Sequence, residues 1–353
     1  MAPNYFAPAF RVTLNGSALE ADISKQITDI SVTHELDSTD HFALTVVNAY
    51  PRMRWTHTDD ADLFKEGNAI KIEMGYVDDM QALLDGEITK ISPNFPESGA
   101  PTVRIEGHSR LHRLQGSRKT RTFRDSTDKQ IAEQIAQELG LTPEAEETQT
   151  RHPYVIQYNQ TDLDFLKERA RLIHFEAQVE GKTLIFRKAK EGQGMTYVLE
   201  WGKFLKSFTP TLNTLHQVSE VVVRGYDPKN KTEIIGHAGG GDEESTMGGS
   251  RTGAQVAADA FGTRSQEMRI DPPIASQEEA DQRARAIYNQ RALQLVTGSG
   301  SSIGLPDLRA GRVIELQGLG PRFSGLYYLT QTTHNIGGGG YLTAFSAKRN
   351  ALS

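Results

Sequence analysis

The chain reads as an α+β protein, mainly β, with two β-rich ends and an α/β part between them. Three observations carry this. Apolar residues alternate with polar ones through the first hundred residues, the mark of half-buried strands. From about residue 125 the apolar spacing changes to four, the mark of helices. Strand-like alternation returns at the end, with one late helical stretch. The 353 residues suffice for two or three domains, with 37% hydrophobic and 24% charged residues.

In the first part, Phe42, Leu44 and Val46 alternate, as do Ile70, Ile72, Met74 and Tyr76. Gly16, Gly67, Gly86 and the PNFPESGAP stretch supply turns. In DSTDKQIAEQIAQELGL, Ile131, Ile135 and Leu139 lie four apart, Thr127 with Gln130 fits a capping box, and Gly140 fits a stop. A second helix opens at Thr161, whose pairing with Asp164 also fits a box, ahead of an apolar face of Leu163, Leu166, Ala170 and Ile173. VEGKTLIFRKA then reads as a strand pair turning at Gly181-Lys182. EVVVRGYDP is a strong strand with a turn. Residues 236–253 hold seven glycines and almost no apolar side chains, which predicts a long mobile or interface loop on the surface. The spacing of Ala280, Ala284, Ile287, Tyr288 and Leu295, with Ser276 and Glu279 as a capping box, predicts a helix over 276–296. RVIELQGL, SGLYYLTQTTHNI and GYLTAFSAKR close the chain as strands.

Composition narrows the function classes. The net charge of −6 gives no general affinity for nucleic acid or anionic membrane. No apolar run is long enough to span a bilayer, and the N-terminus shows no signal-peptide pattern. Cysteine is absent, so disulfides, thiolate nucleophiles and cysteine metal sites are excluded together. These features fit a chain made in the cytoplasm.

The acidic residues Asp162, Asp164 and Glu168, with His174, invite an acid/base reading. Helix physics accounts for them without it. Carboxylates in the first turn and a cation in the last each stabilise a helix by roughly 0.3–1 kcal/mol. Asp162 and Asp164 are also about 200° apart around a helix axis. Thr161, Asp162, Asp164, Phe165 and Leu166 are therefore expected to cap and pack this helix, with no catalytic role. His108 and His112 have the i, i+4 spacing of a zinc pair, but Ser109 stands where a metalloprotease needs Glu. The basic residues Arg110, Arg113, Arg118, Lys119, Arg121 and Arg124 have only Phe123 beside them in sequence. They read as a solvated face or an ionic contact, not as a stacking platform. GLGPRFSG, GGGDEES and GSGSSIG match neither a phosphate loop nor a nucleophile elbow. No catalytic, metal or cofactor constellation emerges.

One resemblance joins several of these stretches. YVIQYNQTDLDFLKERARLIHFEAQVEGKTLIFRKA is similar to a segment shared by phage late control gene D proteins and the N-terminal hub region of VgrG proteins. Gln157, Tyr158, Thr161, Asp162, Phe165, Leu166 and Arg169 match its pattern. Gln160 replaces the usual acid, and Ile173-His174-Phe175 the usual glycine region. GHSRLHRL, RTFRDSTDKQIAEQIAQELGL, VVVRGYDP and the closing strands follow in the family's order over roughly 40–350. Residues 236–253 are not covered.

The resemblance implies a fold of two tube-like β-barrel domains with an α/β insertion, divided as 1–115, 116–200 and 201–353. Three chains would form a pseudo-sixfold ring. It implies a structural hub of a contractile injection system or phage-tail-like particle, joining a sixfold inner tube to a threefold spike. The expected partners are two further copies, an inner tube protein, a separate spike protein and other baseplate components. Neither membrane insertion nor sequence-specific nucleic-acid binding is expected. Such a particle is assembled in the cytoplasm and released, or carried in a virion. The chain stops after the last hub-like strand, so the spike is expected to be a separate polypeptide, with Lys348 and Arg349 as candidate spike-side contacts. The alternatives are a tail-tip cell-wall-degrading enzyme, which needs two carboxylates across a groove, or a free-standing binding module.

Overall fold

A computed structural model describes residues 7–50, 54–58, 63–227, 230–262, 265–270, 274 and 276–353. Its main body is a 13-stranded sheet that takes strands from both ends of the chain. The first part contributes Pro8–Leu14, the short Ser17–Ala18, Ile27–Glu35, His41–Val47, Ala69–Tyr76, Asp79–Asn94 and Thr102–Ser109. The last part contributes Met195–Glu200, Leu205–Leu212, Val296–Ile303, Val313–Gln317, Gly325–Gly337 and Gly340–Arg349. The two parts are continuous at one seam, where Gly325–Gly337 pairs antiparallel with Ile27–Glu35, placing Thr333 opposite Thr33 and His334 opposite Val32. Thr33 and Thr333 hydroxyls meet at 3.0 Å, and Asn335 donates to Asp29 at 2.9 Å. Pairing so remote in sequence cannot be read from local alternation.

Each side of the seam has its own apolar core. Ile30, Val32, Leu44, Ile72 and Ile105 fill the first, and Tyr341 from the last hairpin reaches into it. Leu199, Leu205, Val296, Leu316, Tyr327 and Phe345 fill the other. In Val296–Ile303 the glycines answer to packing. A side chain at Gly300 would lie 2.5 Å from the Ser207 carbonyl oxygen and 2.8 Å from the Phe345 ring.

A third core lies between residues 111 and 186 and includes Ile131, Ile135, Leu163, Phe165, Leu166 and Phe186. The helix Asp128–Glu138 opens with the expected reciprocal Thr127–Gln130 box and ends ahead of Gly140, at φ 68°. The helix Asp162–Leu172 opens with Thr161 Oγ1 accepting from Asp164 N at 3.1 Å. Where the family pattern has glycine, His174 follows the helix at φ 59°. This left-handed conformation costs a non-glycine residue roughly 1–2 kcal/mol. A strand ribbon, Lys119–Thr127 paired with Arg151–Gln160, covers one side of these helices.

Two expectations need correcting. The helix predicted over 276–296 runs Gln277–Ala292. Leu295 and Val296 instead enter the neighbouring core, and Val296 starts a strand that pairs on both sides. The stretch 236–253 is not a free surface loop. Its first residues complete the strand Thr232–Gly239, and Gly236 lies so close to the late helix that a Cβ would sit 2.2 Å from Ala280. Met247 is buried at 1% exposure against Leu293, Val313 and Tyr328. Ser250 N donates to Leu352 O at 2.8 Å, and Glu244 N to Asn289 Oδ1 at 2.8 Å. Glycine content lowers side-chain burial, but it does not stop a backbone from being tied down. The stretch ends by opening an unexpected helix, Gly253–Phe261, through a Thr252–Gln255 capping box. The end of EVVVRGYDP, Pro228, lies outside the described residues.

Candidate functional site

Of the four residues in the acid/base question, Asp162 and His174 fall into buried ionic clusters, and Asp164 and Glu168 are exposed. Asp162 is buried and accepts from Lys119 Nζ at 2.6 Å, Arg121 Nη2 at 2.8 Å and Gln157 Nε2 at 3.0 Å. Its carboxylate is thus spent on the ribbon, while Asp164 is exposed on the other side of the helix start. Phe165 and Leu166 are buried, and the Phe165 ring stacks on Phe123 at 5.6 Å. Most of the basic run is engaged in ion pairs, though none of it is buried. Arg110 pairs with Asp85 at 3.3 Å, Arg113 with Glu87, and Arg121 with Glu138 at 2.5 Å. Arg113, Arg118 and Arg124 are exposed.

A second cluster links the two insert helices to the late helix. Arg169 donates to Asp128 Oδ1 at 2.5 Å, and His152 Nε2 lies 3.3 Å from Asp128 Oδ2 and 2.7 Å from Arg169 Nη2, with His152 Nδ1 3.8 Å from Glu279. Burial works against the Asp128 charge, but His152 and Arg169 outweigh it and hold the carboxyl below its usual range.

The third cluster lies where the insert meets the sheet, around a cleft of about 300 Å³ lined in part by Lys167, His174, Glu176, Glu191, Tyr328 and Lys348. His174 Nε2 lies 2.9 Å from Glu191 Oε1. Burial opposes the His174 cation, yet Glu191 outweighs it and raises the pKa. Burial raises Glu176 to about 6, and Tyr328 donates its hydroxyl to this carboxylate. Lys167 donates to Leu36 O at 3.0 Å and Ser38 O at 2.9 Å, and burial lowers it to about 8. Shifted pKa values at a cleft are a pattern that active sites share. Here the groups engage one another or the backbone across the seam between insert and sheet, which is the geometry of an interlock.

The histidine pair does not share the face of one helix. His108 ends a strand, and His112 sits in the short 3-10 turn Arg110–Gln115, where its Nδ1 donates to Ser109 O at 2.9 Å. Among the described residues no group of three His, Cys, Asp or Glu is placed to hold a metal ion. Nor is any helix there long and apolar enough to cross a membrane.

The two candidate spike contacts separate. Lys348 is half-buried at the cleft. Arg349 is 1% exposed and donates to Ser324 O at 2.5 Å and Ser353 Oγ at 3.0 Å, above the Tyr327 ring. Its guanidinium holds the end of the sheet and is not a free contact. The inter-unit clusters were invisible in sequence because Asp128, His152, Arg169 and Glu279 share no local spacing.

The architecture defines a class: it is the fold of phage tail and VgrG-type hub proteins. The prophage MuSo2 43 kDa tail protein from Shewanella oneidensis superposes with a TM-score of 0.73 at 13% identity, over 98% of this chain and 100% of that one. The tail protein from Neisseria meningitidis MC58 gives 0.70 at 11% identity, over 98% of each chain. The Escherichia coli c3393 protein, described as a type VI secretion component similar to the T4 tail proteins gp27 and gp5, gives 0.61 at 12% identity, over 97% of this chain and 78% of that one. Over residues 7–338 the sequence matches the family described as the Alg8 N-terminal domain, and the chain belongs to that family. No curated protein matches it.

Proposed function

We propose that this chain is a structural, non-enzymatic hub at the baseplate of a contractile injection system or phage-tail-like particle. It works there as a homotrimer that joins a sixfold inner tube to a threefold spike. The observation that carries this reading is the seam at which Gly325–Gly337 pairs with Ile27–Glu35. It fuses two β units of one chain edge to edge, so three chains present six such units. Closure into a ring also covers sheet edges that one chain leaves open. The division into 1–115, 116–200 and 201–353 belongs to this proposal, except that the strand Met195–Glu200 goes with the last part through its pairing with Val313–Gln317, and so do the contacts with tube, spike and other baseplate proteins. So does assembly in the cytoplasm before release. The likeness to tail proteins over their whole length supports it. Deleting the gene in the source organism should abolish assembled particles, and expressing the chain in trans should restore them. Normal particles without the chain would refute the proposal.

A further inference from the structure

The ribbon of Lys119–Thr127 and Arg151–Gln160 has two unlike faces. Phe123, Val155 and Gln157 point inward and are buried. On the outer face Tyr154, Ile156 and Tyr158 stand in a row at 55%, 46% and 69% exposure. Beside them, Arg124 lies opposite Tyr154 and Thr122 opposite Ile156 in the strand register. Successive same-face residues on a strand are about 7 Å apart, so the three large side chains form one continuous stripe. Cations flank it. Arg118 donates to Asn159 O and Arg151 to Asp125 O, both backbone carbonyls. Among the described residues none of Arg118, Arg124 and Arg151 has a carboxylate at ion-pair distance. Lys119 and Arg121 are already neutralised by Asp162 and Glu138. The outer face therefore combines tyrosine, an aliphatic centre and uncompensated arginine, the composition found at the energetic centres of protein interfaces.

We infer that this ribbon face is a docking surface for a partner protein that presents carboxylates around an apolar centre. The inference rests on the particle reading for its setting and goes beyond it in naming the surface and the partner's chemistry. Charge argues against the same face of a second copy, since that pairing would set the unpaired Arg118 and Arg124 against a second such pair. Single-stranded nucleic acid fits less well. It needs successive π faces to stack on, and Ile156 interrupts the two tyrosines in a chain whose net charge is −6.

The test replaces Tyr158 with photoreactive p-benzoylphenylalanine in the source organism, followed by irradiation of purified particles. The expected result is an adduct with a different particle protein, mapped by peptide sequencing to a carboxylate-rich segment. Adduct yield should fall at least tenfold when R118E and R124E are added. Thermal unfolding of the purified R118E/R124E chain should match wild type, which separates lost docking from lost folding. An adduct with a second copy or with nucleic acid, or no adduct in particles that contain the chain, overturns the inference. So does a yield unchanged by charge reversal. Particles that lack the chain altogether overturn the hub reading and this inference together.

Discussion

Acid should weaken the seam between the two β units through His334. This histidine lies opposite Val32 across the seam and opposite Thr343 in its own hairpin, and it is fully buried. Its Nε2–H donates to Leu308 O at 2.8 Å, and its Nδ1 accepts from Tyr341 Oη at 2.9 Å, with Thr343 Oγ1 at 3.2 Å. A neutral ring satisfies this set. A proton on Nδ1 would displace the acceptor and bury a charge near His34 and Arg309, two further basic groups. Burial chiefly, then His34, lowers the pKa from 6.5 to about 3. A depressed folded pKa gives stability that is fully present above pH 6.5 and is lost as pH falls toward 3. At about 1.4 kcal/mol per pH unit, His334 should remove about 3 kcal/mol between pH 7.5 and pH 4.5. Other groups titrate in this window, so the informative quantity is the difference from His334→Gln, which keeps a donor and an acceptor but cannot take up the proton. In urea unfolding at pH 7.5 the variant should be less stable than wild type by about 1–2 kcal/mol. At pH 4.5 it should be the more stable of the two. A stability gap that stays constant between these pH values would refute the account of the buried ring.

Further predictions concern packing and polarity. Phe165→Ala or Leu166→Ala should cost about 2–5 kcal/mol, and Thr161→Ala, which removes a helix cap, about 1 kcal/mol, all read by denaturant unfolding. Met247→Ala should likewise cost about 2–5 kcal/mol, and deleting residues 240–250 should remove folded protein, since this stretch is tied to Leu352 and Asn289. A deletion variant that unfolds like wild type would restore the reading of a free loop. Lysine-directed cross-linking of intact particles should join Lys348 to a spike protein in preference to the tube protein. Links to tube subunits alone would reverse the proposed polarity.

Much of the local structure was legible because local signals govern it. The Thr127–Gln130 box, Gly140, the Thr161 cap and the alternation around Ile70 and Leu44 each depend on residues within a few positions. The seam was not legible, because its partners lie about 300 residues apart and its pairing is decided by core closure. The stretch 236–253 misled for a related reason. Its anchors are Met247 and backbone groups, and backbone hydrogen bonds leave no trace in composition. Arg349 looked like a surface cation until the fold wrapped Ser324, Tyr327 and Ser353 around it. The outward row of Tyr154, Ile156 and Tyr158 shows the same limit. In sequence the basic run has only Phe123 as an aromatic neighbour, and the ribbon supplies others from the adjacent strand.

The central claim is a trimeric hub whose two β units per chain present a pseudo-sixfold ring to the tube. Its most direct test is a cryo-electron microscopy reconstruction of intact particles, with symmetry released at the baseplate. The account predicts three copies of this chain on the particle axis, with their six β units in a ring between the inner tube and the spike. One or six copies at that position, or a chain bound only at the particle's periphery, would contradict it.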